Sequence, residues 1–104
     1  MMNQQIFKEI QDLKRQILPN ERVMLFGSQA RGDAHEDSDW DLLVLLDKDM
    51  KTFEDEDIYG FPFDKIGWNY GVAINTIIYS TKEWEKRKIT PFYQNVEKEG
   101  FEIN

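Results

Sequence analysis

A small α/β fold, a mixed sheet of about three to four strands with helices packed against it, is what this sequence predicts. Three observations carry that expectation. Apolar residues at helical spacing open the chain, short runs rich in aliphatic and β-branched residues follow, and the two kinds of segment interleave. At 104 residues the chain is expected to be one domain, residues 1–104, with a modest core.

The elements follow in order. Ile6, Ile10, Leu13 and Ile17 share one helical face while Lys8, Asp12 and Arg15 take the other, so residues 3–18 read as an amphipathic helix. Pro19-Asn20 ends it, because the residue before a proline is pushed out of helical geometry. Arg22 to Phe26 is a short apolar run closed by glycine, a buried strand. Ser28 to Gly32 can form a helical turn with Ser28 as its N-cap. After a polar loop, Trp40 to Leu46 is apolar on both faces beyond Asp41, as a central strand should be. Thr52, with Asp55 three residues on, starts a second helical segment in which Gly60 and Pro62 predict a break. Val72 to Ser80 is the third strand. Thr81 is expected to cap a helix to about Lys88, and Pro91 to open another that stops at Gly100.

Composition narrows the function classes. The chain has no cysteine, which excludes a disulfide scaffold, a thiolate metal site and a thiol nucleophile. Met1 to Gln16 lacks the apolar stretch of a secretory signal, and no apolar run approaches the roughly 20 residues that span a bilayer. A soluble, cytoplasmic protein without membrane contact is expected. The net charge of −7 is concentrated: Asp33 to Asp64 holds twelve acids against Lys48 and Lys51. So acidic a middle argues against direct nucleic-acid binding and suits divalent cations or a basic partner. Asp47 to Asp57 resembles a calcium loop only faintly, lacks its central glycine, and reads as a solvated acidic loop. Trp68, Tyr70, Tyr79, Trp84, Phe92 and Tyr93 are many aromatics for so short a chain, mostly core with some left for an exposed patch.

One constellation carries chemistry. Gly27 at the end of a buried strand lets the backbone turn and a ligand approach, and Ser28 adds a hydroxyl among unpaired amides, a setting suited to phosphate. Asp39 and Asp41 stand two apart on a strand, so their carboxylates share a face and can share a hard cation, while Trp40 points into the packing. Neighbouring carboxylates on an apolar strand repel unless a cation joins them or water bathes them. Mg²⁺ suits the pair better than Ca²⁺, and His35 alone makes a poor case for zinc.

Spacing joins the two halves: Gly27-Ser28, ten residues, then Asp39-Trp40-Asp41, with Ala30-Arg31-Gly32 and Ser38 between them. The stretch from Phe26 to Leu46 resembles the minimal nucleotidyltransferases of the polymerase-beta superfamily, and the element order extends the resemblance over most of the chain. That resemblance implies a nucleotidyltransferase fold. It implies that Gly27 and Ser28 hold the phosphates of a nucleoside triphosphate, ATP by analogy, and that Asp39 and Asp41 bind Mg²⁺ and serve catalysis. It places Arg31 and Ser38 at the nucleotide, although Arg31 equally reads as a pin between its loop and an acid. It further implies AMP transfer to a hydroxyl, suggested to be a protein tyrosine, with a HEPN-domain protein as partner and an antitoxin role. At this length no separate module that recognises tRNA or an antibiotic is expected.

There is one departure from the family pattern. The superfamily's third carboxylate falls here at Asn75, which can ligate through its carbonyl oxygen but cannot take a proton; Ala73 and Ile77 cannot replace it. Two functions therefore stand at this point: a transferase, or a binding module that keeps nucleotide or partner affinity without turnover. Base preference, acceptor and oligomeric state, homo-oligomers included, are left open by the residues.

Overall fold

The computed structural model describes residues 2–104. Four strands form one sheet in the order β3-β2-β1-β4. Strand β1 (Arg22–Phe26) runs antiparallel to β2 (Trp40–Leu46) and to β4 (Phe101–Glu102), whereas β2 and β3 (Ile74–Ser80) are parallel. The antiparallel step from β1 to β2 needs only the short helix α2 (Gly27–Arg31) and a loop. The parallel step must carry the chain back across the sheet, and a helical crossover does so. It comprises α3 (Phe53–Asp55), a π-helical turn (Glu56–Gly60) and α4 (Phe61–Tyr70).

Helix α1 (Gln4–Ile17) starts where Asn3 Oδ1 accepts from the backbone N–H of Gln5 and Ile6 at 2.9 and 3.1 Å. Its Ile6 and Ile10 are buried and Leu13 and Ile17 pack behind them, as the spacing predicts. In the crossover, Asp55 accepts from the N–H of Thr52 at 2.7 Å, the capping contact expected there. The expected break at Gly60 and Pro62 is instead one wide turn. Phe61 donates to Glu56 O, five residues back, and Pro62 enters the first turn of α4, where its missing N–H costs little. Helix α4 ends hard against the sheet: Val72 N–H donates to Gly67 O at 3.0 Å. A Cβ on Gly67 would lie 2.5 Å from Val72 O and 3.2 Å from Ile74 N, so only glycine permits this approach. Because Val72 is tied to the helix, β3 begins at Ile74 and not at Val72.

In the C-terminal half one cap differs from expectation. Ser80, not Thr81, caps α5 (Thr81–Glu85): its Oγ accepts from Glu83 N–H at 3.1 Å while Glu83 accepts from Ser80 N–H at 2.8 Å. The helix stops at Glu85, short of Lys88, and turns follow. Helix α6 (Pro91–Glu99) starts and stops as predicted, with Thr90 as cap and Gly100 after its end. Strand β4 was not expected. Two residues give no periodicity; the pairing depends on Ile103, which is buried and donates to Val23 O at 2.8 Å.

The sheet separates two cores. Ile6, Ile10, Trp40, Leu42, Val44, Phe63 and Ile78 fill one, beneath α1 and α4. Met24, Leu43, Leu45, Trp84 and Val96 fill the other, beneath α5 and α6. Of the aromatics noted above, Trp84 is buried there with Tyr79, Phe92 and Tyr93 around it, while Trp68 is exposed. The acidic stretch from Asp47 to Asp57 is not a solvated loop throughout: from Phe53 it is helical, and Asp55 is buried. Lysines pair with its acids, Lys48 with Asp55 at 2.9 Å, Lys51 with Glu56 at 2.8 Å and Lys82 with Asp49 at 3.0 Å. Among the described residues no helix is long and apolar enough to cross a membrane.

Candidate functional site

The site lies where β1 hands over to α2. Gly27 has φ of +74°, the left-handed region, and a Cβ there would overlap the Asp41 carboxylate. Both facts exclude a side chain at this position, and the overlap agrees with the register that sets Phe26 opposite Asp41. The N-cap of α2 is Phe26, not Ser28; Phe26 has no side-chain acceptor, and Ser28 sits one residue inside the helix. Ser28 is half-buried, and its carbonyl closes the turn by accepting from Gly32 and Asp33 N–H at 3.0 and 3.2 Å.

Asp39 stands just before β2 and is exposed; Asp41 is half-buried within it. Between them comes Asn75, directly opposite Asp41 in the parallel register. Its Nδ2 donates to Asp39 Oδ2 and Asp41 Oδ1, each at 3.2 Å. Asn75 thus lies against both aspartates, and its amide relieves a repulsion that the sequence alone assigned to a cation or to water. Two carboxylates held by one neutral donor form a stable arrangement that still leaves oxygen lone pairs directed outwards. Among the described residues no cluster of three or more His, Cys, Asp or Glu side chains could hold a metal. The two carboxylates alone suit Mg²⁺, which typically takes one or two protein carboxylates and fills the rest with water and phosphate.

The remaining predicted residues shape the loop. Ser38 Oγ accepts from His35 N–H at 2.7 Å, closing the turn that delivers Asp39. Buried Gln29 donates to Ser38 O at 3.4 Å, tying α2 to the same turn. Arg31 pairs with Asp33 at 3.2 Å and with Glu99 at 3.6 Å, so it pins the loop to α6. With Gly27, Phe26 and Phe92 it lines a cavity of about 220 Å³ beside the glycine turn.

Asp64 is a residue that sequence reasoning passed over. It lines a groove with Trp68, Ala73 and residues Ile74 to Ile77 of β3, Asn75 included. Burial first, and Glu56 second, hold its carboxyl above the ordinary carboxylate range. The only signal available was its place beside the apolar stripe of Tyr59, Phe63 and Ile66, where a carboxylate must sit at the edge of the packing.

Comparison with known proteins shows the family and the fold. The family model described as a nucleotidyltransferase domain matches residues 4–99. Two proteins of Methanocaldococcus jannaschii, each named "Putative protein adenylyltransferase", are similar over most of their length. One is 38% identical over 79 residues, 76% of this chain and 73% of the relative. The other is 37% identical over 83 residues, 80% and 78% of the two chains. A crystal structure of a toxin-antitoxin with AMP-PNP shares the fold, with a TM-score of 0.64 at 21% identity over 94% of this chain and 72% of that one. The chain belongs to the nucleotidyltransferase domain family, as a domain of the minimal nucleotidyltransferase type.

Proposed function

We propose that this chain is an Mg²⁺-dependent transferase that moves AMP from ATP to a hydroxyl on a partner protein, acting as the antitoxin of a HEPN-domain toxin. The observation that carries the reading is the convergence of Asp39 and Asp41 on Asn75 beside the glycine turn at Gly27. The relatives named for protein adenylylation, and a structural neighbour that is a toxin-antitoxin with AMP-PNP, support the choice of nucleotide, acceptor class and partner.

In this reading Gly27 and Ser28 approach the β- and γ-phosphates, the glycine because it has no side chain and the serine through its hydroxyl. Asp39 and Asp41 would hold Mg²⁺, beside the Asn75 amide that bonds both carboxylates. When bound, the ion neutralises charge on the phosphates. The acceptor oxygen forms a bond to the α-phosphorus as the bond to the β-phosphate oxygen breaks, and pyrophosphate leaves. Asn75 cannot accept the hydroxyl proton, which goes to an aspartate carboxylate of the site or to solvent water.

Incubation of the chain and its partner with α-labelled ATP and Mg²⁺ tests this. Label should appear on the partner and vanish when Asp39→Asn and Asp41→Asn are combined. A partner that is bound but never labelled would overturn transfer. It would leave the second reading, which Asn75 favours: a module that binds nucleotide and partner and neutralises by contact.

A further inference from the structure

Strand β3 is an edge. It pairs with β2 alone, so its other side has no strand partner. Trp40 N–H donates to Ala73 O at 2.9 Å, which turns the odd-numbered amides of β3 towards β2 and, by the alternation of a parallel ladder, turns Thr76 outwards. A groove of about 380 Å³ follows this edge. Five consecutive residues, Ala73 to Ile77, line one side of it, and Asp64 and Trp68 line the other. Consecutive lining means that the groove runs along the strand, the shape that receives an extended chain and not a helix.

The far wall carries an apolar anchor. Trp68 is 65% exposed and meets Phe61 edge to face at 5.4 Å, and Ile58 extends the same helical stripe. Exposed aromatics at this density mark contact surfaces. Charge selects the occupant. Asp64 is half-buried yet forms no ion pair among the described residues. Glu56 adds to its field, Asp39 and Asp41 lie past Asn75, and the nearby cation, Lys65, is drawn over the Phe61 ring at 5.6 Å. A second copy would bring its own acidic band, Asp33 to Asp64, against this one. A basic segment meets no such repulsion.

We propose that the groove along β3 takes an extended, basic segment of the partner polypeptide as an added strand, which leads a hydroxyl-bearing side chain to Asn75 and the two aspartates. This rests on the transferase reading and names the form of its acceptor. Backbone pairing supplies affinity, Trp68 and Phe61 an apolar anchor, and Asp64 the preference for lysine or arginine.

The test uses the full chain without Mg²⁺ or nucleotide, so its result does not depend on phosphate chemistry. Three fluorescent peptides are compared by polarisation: alternating lysine and valine with a central serine, the same with glutamate for lysine, and the lysine peptide with alternate amides N-methylated. Only the first should bind, and Asp64→Lys or Trp68→Ala, each checked for native circular dichroism, should weaken it about tenfold. Asp64→Asn should weaken it less. Equal affinity for the lysine and N-methylated peptides, or no change in both variants, overturns the added strand. Concentration-dependent dimers in sedimentation, lost in Trp68→Ala, would give the groove to a second copy and overturn it equally. A chain that labels its partner but ignores all three peptides sinks this proposal while the transferase reading stands.

Discussion

Along β2, one face of the sheet is covered at one end and open at the other. Leu43 and Leu45 are buried beneath Trp84, whereas Asp41, on the same face, and Asp39 ahead of it reach towards solvent. The strand itself is continuous, and side chains two apart share a face throughout. What changes is the cover. Helices α5 and α6 bring Trp84, Phe92 and Val96 over the leucines, and the edge-to-face contact of Phe92 with Phe26, 5.6 Å between centroids, marks where that cover ends. The candidate site therefore lies where the second core stops, on the part of the face that packing leaves bare.

The largest effect that could break this comparison lies at the covered end. Trp84 is 1% exposed and its indole N–H donates to Glu97 at 2.8 Å. Trp84→Ala should cost about 3–5 kcal/mol in urea unfolding, since it empties the second core and leaves Glu97 only its ion pair with Arg22. An unchanged midpoint would show that something else closes the face.

Next comes Gly27→Ala at the open end. The positive φ and the overlap with Asp41 should cost about 1–3 kcal/mol of stability, and calorimetry should show Mg-ATP affinity lower by tenfold or more. Retained affinity would separate the turn from the site.

Asn75→Asp sharpens the contrast between a site that needs a cation and one that does not. It replaces the donor shared by Asp39 and Asp41 with a third negative charge, so without divalent cations it should cost about 1–2 kcal/mol. Mg²⁺ should restore the loss, and labelling of the partner should rise. If melting is indifferent to both the substitution and the metal, the amide is not what holds the aspartates together.

The smallest effects are in pH dependence, where two carboxylates of the crossover have opposite signs. Burial raises the carboxyl of Asp55, but the N–H of Thr52 and the ammonium of Lys48 outweigh it, and the group is held below its ordinary value. Its contribution is present at neutral pH and is lost as pH falls through the lowered folded value. Asp64 is raised, so the folded state holds its proton more tightly, and stability falls as pH rises through that window. Asp55→Asn should therefore lower neutral-pH stability by about 1 kcal/mol, as loss of a helix-start contact does, and the deficit should vanish in acid. Asp64→Asn should raise neutral-pH stability slightly. Melting curves against pH check both signs.

Much of this was legible in the sequence because it depends on neighbours along the chain. The four-three-four spacing of Ile6, Ile10, Leu13 and Ile17 needs no partner to announce a helix, and the glycine after Phe26 announces a turn wherever the strand is placed. Where local signals compete, reading along the chain fails. Ser80 and Thr81 are both good caps, and the reciprocal contact with Glu83 decides for Ser80. Gly60 and Pro62 both signal a break, and a π-helical turn absorbs them within one crossover.

By itself, then, the sequence determined the α/β class, the limits of β1 and β2, and the spacing that puts Gly27-Ser28 and Asp39-Trp40-Asp41 at adjoining strand ends. Only the tertiary structure decided that Asn75 bonds both aspartates, that Phe101–Glu102 completes the sheet, and that Asp64 faces the free edge of β3. Those three depend on the register between segments far apart in the chain. Register is set by how whole faces pack, a property of two surfaces meeting that no single stretch of residues carries.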